Sequence, residues 1–196
     1  TGQDLFWVGG SGNWNDRTHW SQTSGGTGGY CIPGPADNTF FNIASGFTTA
    51  SNTVTIDNTS YTKDITFSGS VVAPILNENG SQILNIYGSS EWQAGMGGTA
   101  GNVRISNIYY RNTNSPKIIK SNGVITGASS SRVYFEEKES ITLADDLHIN
   151  LNLILRAGTW NTKNHKVTIK NQFTAESTQP KVINLGNSNI YLTNSS

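Results

Sequence analysis

Short apolar segments with a period of two are the feature that most limits how this chain can fold. From Asn52 onward, large apolar residues recur in pairs separated by one mostly polar residue. Because successive side chains of a β-strand point to opposite faces, this alternation is typical of strands with one buried face. The pairs predicted to face a core are Val54/Ile56, Ile65/Phe67, Leu84/Ile86, Val103/Ile105, Val133/Phe135, Ile141/Leu143, Val167/Ile169 and Ile190/Leu192.

The longest alternating segment runs from Leu147 to Leu155, with Leu or Ile at every second position. None of these segments has the three- and four-residue spacing of an amphipathic helix. The low share of charged residues, 13%, and the many Gly, Asn and Thr residues also suit strands joined by tight turns. The sequence therefore predicts an all-β protein.

Turn signals separate the segments at intervals of roughly ten residues, which indicates either a β-solenoid or a β-sandwich. Two observations favour the solenoid and leave the sandwich as the alternative. Similar segments ending in Asn recur at 54–58, 167–171 and 190–194. Asn and Thr side chains also suit ladders of hydrogen bonds between stacked turns. The turn signals are Ser68-Gly69, Asn79-Gly80, Tyr87-Gly88, Asn122-Gly123, Ala157-Gly158 and Leu185-Gly186.

The charge balance disfavours nucleic acid as a partner. Lys plus Arg and Asp plus Glu each number 13, the formal net charge is zero, and no segment is a basic cluster. A protein without a positive face has little to offer a phosphate backbone. No apolar stretch reaches the roughly 18 residues that a membrane-spanning helix needs, so this chain is not expected to span a membrane.

The chain divides into two zones of different texture. Residues 1–50 are crowded with Gly, Trp, Pro and Asn, and we predict a loop-rich N-terminal cap there. Residues 51–196 carry the repeating strands and are predicted to form the turns of the solenoid. The last segment, 189–193, is still strand-like, so we expect an open final turn.

Two stretches of the N-terminal zone, 7–21 and 28–41, together with the strand at 54–57, resemble the start of repeat units in very large Bacteroidetes cell-surface proteins. Segments 141–147 and 157–169 look like the strand repeats that follow in those proteins, which include gliding-motility adhesins exported by the type IX secretion system. The resemblance implies secretion to the cell surface and a right-handed parallel β-helix of the pectin-lyase type. It also implies a role in surface attachment or gliding.

The same resemblance implies two kinds of partner: a surface polysaccharide or other substratum, and the outer-membrane secretion and motility machinery. In the related pattern a second Cys often precedes the position of Lys63-Asp64, where this chain has Thr62. Cys31 is therefore expected to be a free thiol rather than half of a disulfide.

Three Trp residues recur every six or seven positions near the start of the chain: Trp7, Trp14 and Trp20. Exposed Trp14 and Trp20 would offer flat faces to sugar rings, with Asp16 and His19 hydrogen-bonding the hydroxyls, as in a carbohydrate-binding module. Alternatively, the indoles close the open end of the solenoid, where the first turn would otherwise expose its core. Closure is the preferred prediction, and carbohydrate binding is the alternative.

Oxygen-bearing side chains that could bind Ca²⁺ occur at Asp16, Asp37, Asn38 and Asp57, but no contiguous Asp-rich loop is present. We expect them to form turns instead. The only His residues, at positions 19, 148 and 165, lack the spacing of zinc ligands. No metal or cofactor is therefore predicted.

Adjacent carboxylates occur only at Glu136-Glu137 and Asp145-Asp146. Both pairs are expected in solvated turns between strands, and neighbours in a strand point to opposite faces, so neither predicts an acid–base site. Together with the resemblance, which implies a secreted cell-surface adhesin, this predicts a non-catalytic structural or adhesive segment of such a protein. A polysaccharide-degrading β-helix enzyme is the remaining alternative.

Overall fold

Stacked parallel strands form a β-solenoid of about six turns, and the chain is all-β with almost no helix. The structure is a computed structural model and describes residues 2–97 and 102–193. The prediction of a β-solenoid is thus confirmed, and the alternative β-sandwich is wrong. Two 3₁₀ helices, Arg17–His19 and Ile43–Ser45, are the only helical turns among the described residues.

The strands are short, and the described ones are numbered here in chain order. They are β1 Asp4–Trp7, β2 Gly12–Asn13, β3 Trp20–Ser21, β4 Asn38–Phe41, β5 Thr53–Ile56, β6 Ser60–Thr62, β7 Ile65–Phe67, β8 Ile75–Glu78, β9 Ile83–Ile86, β10 Ser90–Glu91, β11 Asn102–Val103 and β12 Asn107–Tyr110. They continue as β13 Lys117–Lys120, β14 Ile125–Thr126, β15 Arg132–Phe135, β16 Ser140–Leu143, β17 Leu147–Ile149, β18 Asn152–Leu155, β19 Gly158–Asn161, β20 Val167–Ile169, β21 Gln172–Ala175, β22 Lys181–Asn184 and β23 Ile190–Leu192.

Three sheets form the sides of the solenoid. Sheet I has nine strands in the order β22-β19-β16-β13-β10-β7-β4-β1-β3, and sheet III has six in the order β21-β18-β15-β12-β9-β6. Sheet II consists of β2-β5-β8 and β11-β14-β17-β20-β23, which a bridge between Asn77 and Arg104 connects. All strand pairs are parallel except β1 with β3, so equivalent residues of successive turns lie above one another.

One hydrophobic core runs along the interior from Leu5 to Ile169. Aromatic rings stack within it from turn to turn: Phe41 lies 3.9 Å from Phe67, and Phe135 lies 5.6 Å from Trp160. Burying each large side chain stabilises the fold by about 1.5–3 kcal/mol. The predicted inward residues are buried in seven of the eight pairs: Val54, Ile56, Ile65, Phe67, Leu84, Ile86, Val103, Ile105, Val133, Phe135, Ile141, Leu143, Val167 and Ile169.

The structure departs from the predicted strands in two places. The segment from Leu147 to Leu155 is not one strand: β17 ends at Ile149, β18 begins at Asn152, and the half-buried Leu151 lies at the corner between them. In the eighth pair, Ile190 is half-buried and Leu192 is 59% exposed, because β23 has a partner strand on one side only. Residues 194–196, at the predicted open end, lie outside the described residues.

The solenoid begins nearer the N-terminus than the prediction of a loop-rich cap over residues 1–50 implies. Strands β1 and β4 lie within residues 1–50, yet both belong to sheet I and pair in parallel with each other. The N-terminal zone differs from the later turns because the segment from the first 3₁₀ helix through β3 lies outside the parallel stack. Strand β3 pairs antiparallel with β1. The expected polar ladders are present in part: Asn184 Nδ2 donates to Asn161 Oδ1 at 2.7 Å, and Asn171 Nδ2 to Asn152 Oδ1 at 2.9 Å.

Gly158 sits at a corner where a side chain would collide with the turn before it. A Cβ there would lie 1.9 Å from the Glu137 carbonyl oxygen, and its φ of +80° is in the left-handed region. We expect Gly158→Ala to lower the free energy of unfolding by clearly more than the roughly 1–2 kcal/mol that left-handed strain alone costs, since the clash adds to the strain. Urea unfolding measures this loss.

Gly123 is the matched control, because its φ is +77° and a Cβ there would meet nothing within 4 Å. Gly123→Ala should therefore cost only the left-handed strain, roughly 1–2 kcal/mol. Equal losses at the two positions would contradict the steric contact between successive corners.

Candidate functional site

The N-terminal indoles close the end of the core. Trp7, Trp14 and Trp20 are all 0% exposed, and their rings surround Phe41 with centroid distances of 5.6–5.8 Å. Trp20 meets Trp14 edge-on at 5.0 Å, a favourable arrangement for aromatic pairs. This burial agrees with the interpretation of the cluster as a plug.

The alternative of a carbohydrate platform at Trp14 and Trp20 lacks its stacking surfaces, because both indoles are fully buried and neither has a face open to a sugar ring. Asp16 begins a 3₁₀ helix, where Oδ1 accepts hydrogen bonds from the Thr18 backbone and hydroxyl, and these bonds lower the pKa of the Asp16 carboxyl. The His19 ring stacks on Trp7 at 4.6 Å, and its Nδ1 lies 2.7 Å from the Val8 carbonyl oxygen. Trp14, Trp20 and His19 thus pack within the aromatic cluster, whereas Asp16 is exposed beside it.

The remaining Asp and Asn residues considered as Ca²⁺ ligands have internal partners. Asp37 accepts hydrogen bonds from the backbone of Gln3 at 2.9 Å and of Gly34 at 2.8 Å. Asp57 accepts two from Asn15, at 3.0 and 2.9 Å, and the Asn38 amide donates to Asp4 at 2.8 Å. Within residues 2–97 and 102–193, no three His, Cys, Asp or Glu side chains gather in a way that could hold a metal ion.

Cys31 is half-buried and free, and its Sγ lies 4.0 Å from Gln3 Nε2. Of the adjacent carboxylates, Asp145 lies between β16 and β17 as expected, but it bonds the preceding turn of the solenoid. Its two oxygens accept backbone hydrogen bonds from Ser121 at 2.7 Å and from Asn122 at 2.6 Å.

The other carboxylate pair, Glu136 and Glu137, was predicted to lie in a solvated turn, and this prediction is wrong. Glu137 is 1% exposed, and its carboxylate contacts the ammonium of Lys117, which is 0% exposed. Glu137 also accepts hydrogen bonds from the backbone of Thr113, Lys138 and Glu139 at 2.9–3.2 Å. Burial lowers the pKa of Lys117 to about 8, with the charge of Asp64 opposing this shift. Burial thus disfavours the charged ammonium, while the carboxylate of Glu137 in contact with it favours that form.

The neighbouring Glu136 forms part of a ladder on the outer face of sheet III. Its carboxylate lies between Arg111, at 2.5 Å, and Arg156, at 2.6 Å. Each guanidinium covers a Tyr ring, Arg111 on Tyr109 at 4.1 Å and Arg156 on Tyr134 at 4.5 Å. The rings of Tyr109 and Tyr134 stack at 4.1 Å, so this ladder connects successive turns on the outer face. Its charged and aromatic side chains contact one another.

An open groove of about 330 Å³ lies on the outer face of sheet I, across β4, β7, β10 and β13. Thr66, Ser89 and Glu91 lie in its middle. Phe40 stands at one end and Ile118 and Lys120 at the other. Because strands in a sheet lie roughly 4.8 Å apart, the groove follows the solenoid axis for roughly 14 Å.

The strand register explains the groove. One column of outward residues runs Phe40, Thr66, Glu91, Lys120, since each is paired with the next in adjacent strands. These positions are 25–29 residues apart in the chain, so no local motif brings them together. An alternation pattern could mark each as outward-facing, but only the register between turns places them side by side.

Comparisons of this chain with protein-family models, curated proteins and solved structures give no match. Among the described residues, no helix has the length and apolar character to cross a membrane. The class that the structure defines is a β-solenoid with an aromatic plug at its N-terminal end and an open groove on one face.

Proposed function

We propose that the chain is a non-catalytic structural and adhesive segment of a secreted bacterial cell-surface adhesin, serving surface attachment or gliding. The observation that carries this proposal is the single core that continues through every turn from Leu5 to Ile169. A solenoid whose turns contact only their neighbours extends as a rod, and its sides offer long surfaces for binding. Such a segment holds adhesive surfaces away from the cell.

Two further observations support the proposal. Outside the core, the ladder of Arg111, Glu136 and Arg156 joins successive turns of sheet III. The N-terminal stretches at 7–21 and 28–41 resemble repeat units of Bacteroidetes surface proteins. Export machinery of the outer membrane and a polysaccharide or other substratum are the partners that this role requires.

The polysaccharide-degrading alternative has less support from the residues considered for it. Glu137 is buried against Lys117, and both oxygens of Asp145 accept backbone hydrogen bonds. A general acid or base must reach the substrate within hydrogen-bonding distance, so the burial of Glu137 and the backbone hydrogen bonds of Asp145 weigh against these two carboxylates in that role.

The surface role is tested in the bacterium that encodes the chain. An antibody against the folded segment is expected to label intact cells, and in-frame deletion of the segment is expected to reduce attachment to a surface. Labelling only after the cells are lysed would contradict the proposal. So would unchanged attachment and gliding in the deletion strain, provided that the rest of the protein is still displayed.

A further inference from the structure

We propose that the groove on the outer face of sheet I binds a neutral polysaccharide lying along the solenoid axis. The proposal rests on the adhesive function above and names its ligand class and its site. The aromatic residues that it assigns to sugar binding are not Trp14 and Trp20, which are buried. They are Phe6 and Phe40, which lie on the outer face of sheet I.

The aromatic pair is Phe6 with Phe40. Their rings stack at 5.1 Å with an angle of 21° between the planes, and both side chains are only half-buried. They extend from adjacent strands at one end of the groove. Because the two rings stack on each other, the pair offers its edges and the outer face of Phe40, on the side of Thr66. The C–H face of a pyranose packs against this apolar surface, while the hydroxyls of the sugar remain free to bond at its edges.

Polar groups line the rest of the groove and still have capacity for hydrogen bonds. Within the described residues, the structure shows no hydrogen bond to the Thr66 hydroxyl. The Ser89 hydroxyl oxygen accepts from the Ile118 backbone at 3.0 Å, which leaves its hydrogen to donate. Such mixed donors and acceptors suit sugar hydroxyls, which both donate and accept.

The charges disfavour an anionic polymer. Asp64 and Glu91 line the groove together with a single cation, Lys120, whose ammonium lies 2.8 Å from Glu91 Oε1. Asp64 in turn lies 3.8 Å from the ammonium of Lys63. Both carboxylates thus already face a cation, and the described lining of the groove offers uronate or sulfate groups no unpaired positive charge. A neutral hexose or pentose polymer needs none and can use Glu91 Oε2 as an acceptor.

The geometry also favours a sugar chain over an extended peptide. A peptide that binds a sheet adds to an edge strand through its backbone, but β7 and β10 each have partner strands on both sides. The face of the sheet therefore offers side chains alone. The spacing of successive strands, roughly 4.8 Å, is close to the length of one pyranose unit, so each turn can contact one sugar.

The test is isothermal titration calorimetry of the folded chain with cellohexaose, xylohexaose, mannohexaose and laminarihexaose, and with hexagalacturonate as the anionic probe. At least one neutral hexasaccharide is expected to bind, and the anionic probe is not. Phe40→Ala, which removes the exposed ring, should weaken binding roughly tenfold. Thr66→Arg, which fills the middle of the groove, should abolish it.

Tyr61→Ala is the matched control, because it removes an exposed aromatic ring from sheet III and should leave the affinity within about twofold. Thermal unfolding confirms that each variant is folded. No binding by any neutral probe, equal binding of hexagalacturonate, or full binding in Thr66→Arg would each overturn the proposal. If the calorimetry contradicts the groove site while the antibody still labels intact cells and the deletion still reduces attachment, the groove site is overturned but the surface role remains.

Discussion

Replacing Lys117 with Met is expected to lower the free energy of unfolding by about 3–5 kcal/mol, the loss seen when one partner of a buried ion pair is removed. The reason is that Glu137, which is 1% exposed, would keep its charge in the core without a cation. Glu137→Gln should cost a similar amount for the converse reason. Urea unfolding followed by circular dichroism measures both losses.

The double variant Lys117→Met/Glu137→Gln removes both charges and keeps an acceptor for the backbone N–H groups of Thr113, Lys138 and Glu139. Its loss should be well below the sum of the two single losses. Strict additivity, within about 0.5 kcal/mol, would contradict the ion pair.

Lys120→Met is the matched control on the same strand. Lys120 also lies beside a carboxylate, Glu91, at 2.8 Å, but its side chain is 45% exposed and water screens the pair. The same substitution should therefore change stability far less at Lys120 than at Lys117. Similar losses at the two positions would contradict the attribution to burial.

The pH dependence of stability gives a separate readout. Burial lowers the pKa of Lys117 to about 8, whereas an unfolded lysine has a pKa of about 10.4. Between these pH values the unfolded chain binds more protons than the folded one, so the stability of the parent rises with pH. Lys117→Met lacks this titration, so its loss of stability relative to the parent should grow from pH 8 to about 10.4. A loss that stays constant over this range would contradict the lowered pKa.

The pair Lys117 and Glu137 also marks where sequence reasoning fails. Glu136, Glu137, Lys138 and Glu139 have the composition of a solvated turn, and nothing local distinguishes the buried carboxylate from its neighbours. Its partner precedes it by 20 residues and meets it only because β13 and the end of β15 lie in adjacent turns. A local pattern carries no information on that register.

The inward face of each strand, by contrast, could be predicted because it depends on a period of two within a few residues. Val167 and Ile169 illustrate this, since both are fully buried. The corners between strands are harder to predict from the sequence, because the alternation from Leu147 to Leu155 continues across the break at Asn150 and Leu151. The groove could not be predicted at all, since Phe40, Thr66 and Glu91 become neighbours only through stacking.

The plug should be the second most sensitive part of the molecule. Trp20→Ala is expected to lower the free energy of unfolding by about 3–5 kcal/mol, because it opens a large cavity in a fully packed site. Trp20 is 0% exposed, and its rings lie 5.0 Å from Trp14 and 5.1 Å from Trp7. Urea unfolding is again the measurement, with near-ultraviolet circular dichroism reporting on the remaining indoles.

A pair of Trp-to-Phe replacements separates the hydrogen bond of Trp20 from its packing. Trp20 Nε1 donates to the Trp14 carbonyl oxygen at 2.7 Å, whereas Trp14 Nε1 is buried and has no partner within the described residues. Trp20→Phe leaves that carbonyl unpaired, which costs about 1–3 kcal/mol. Trp14→Phe loses only part of a ring and removes an unpaired donor. Trp20→Phe should therefore be the more destabilising of the two, and the reverse order would show that ring volume, rather than the hydrogen bond to Trp14, determines the strength of the plug.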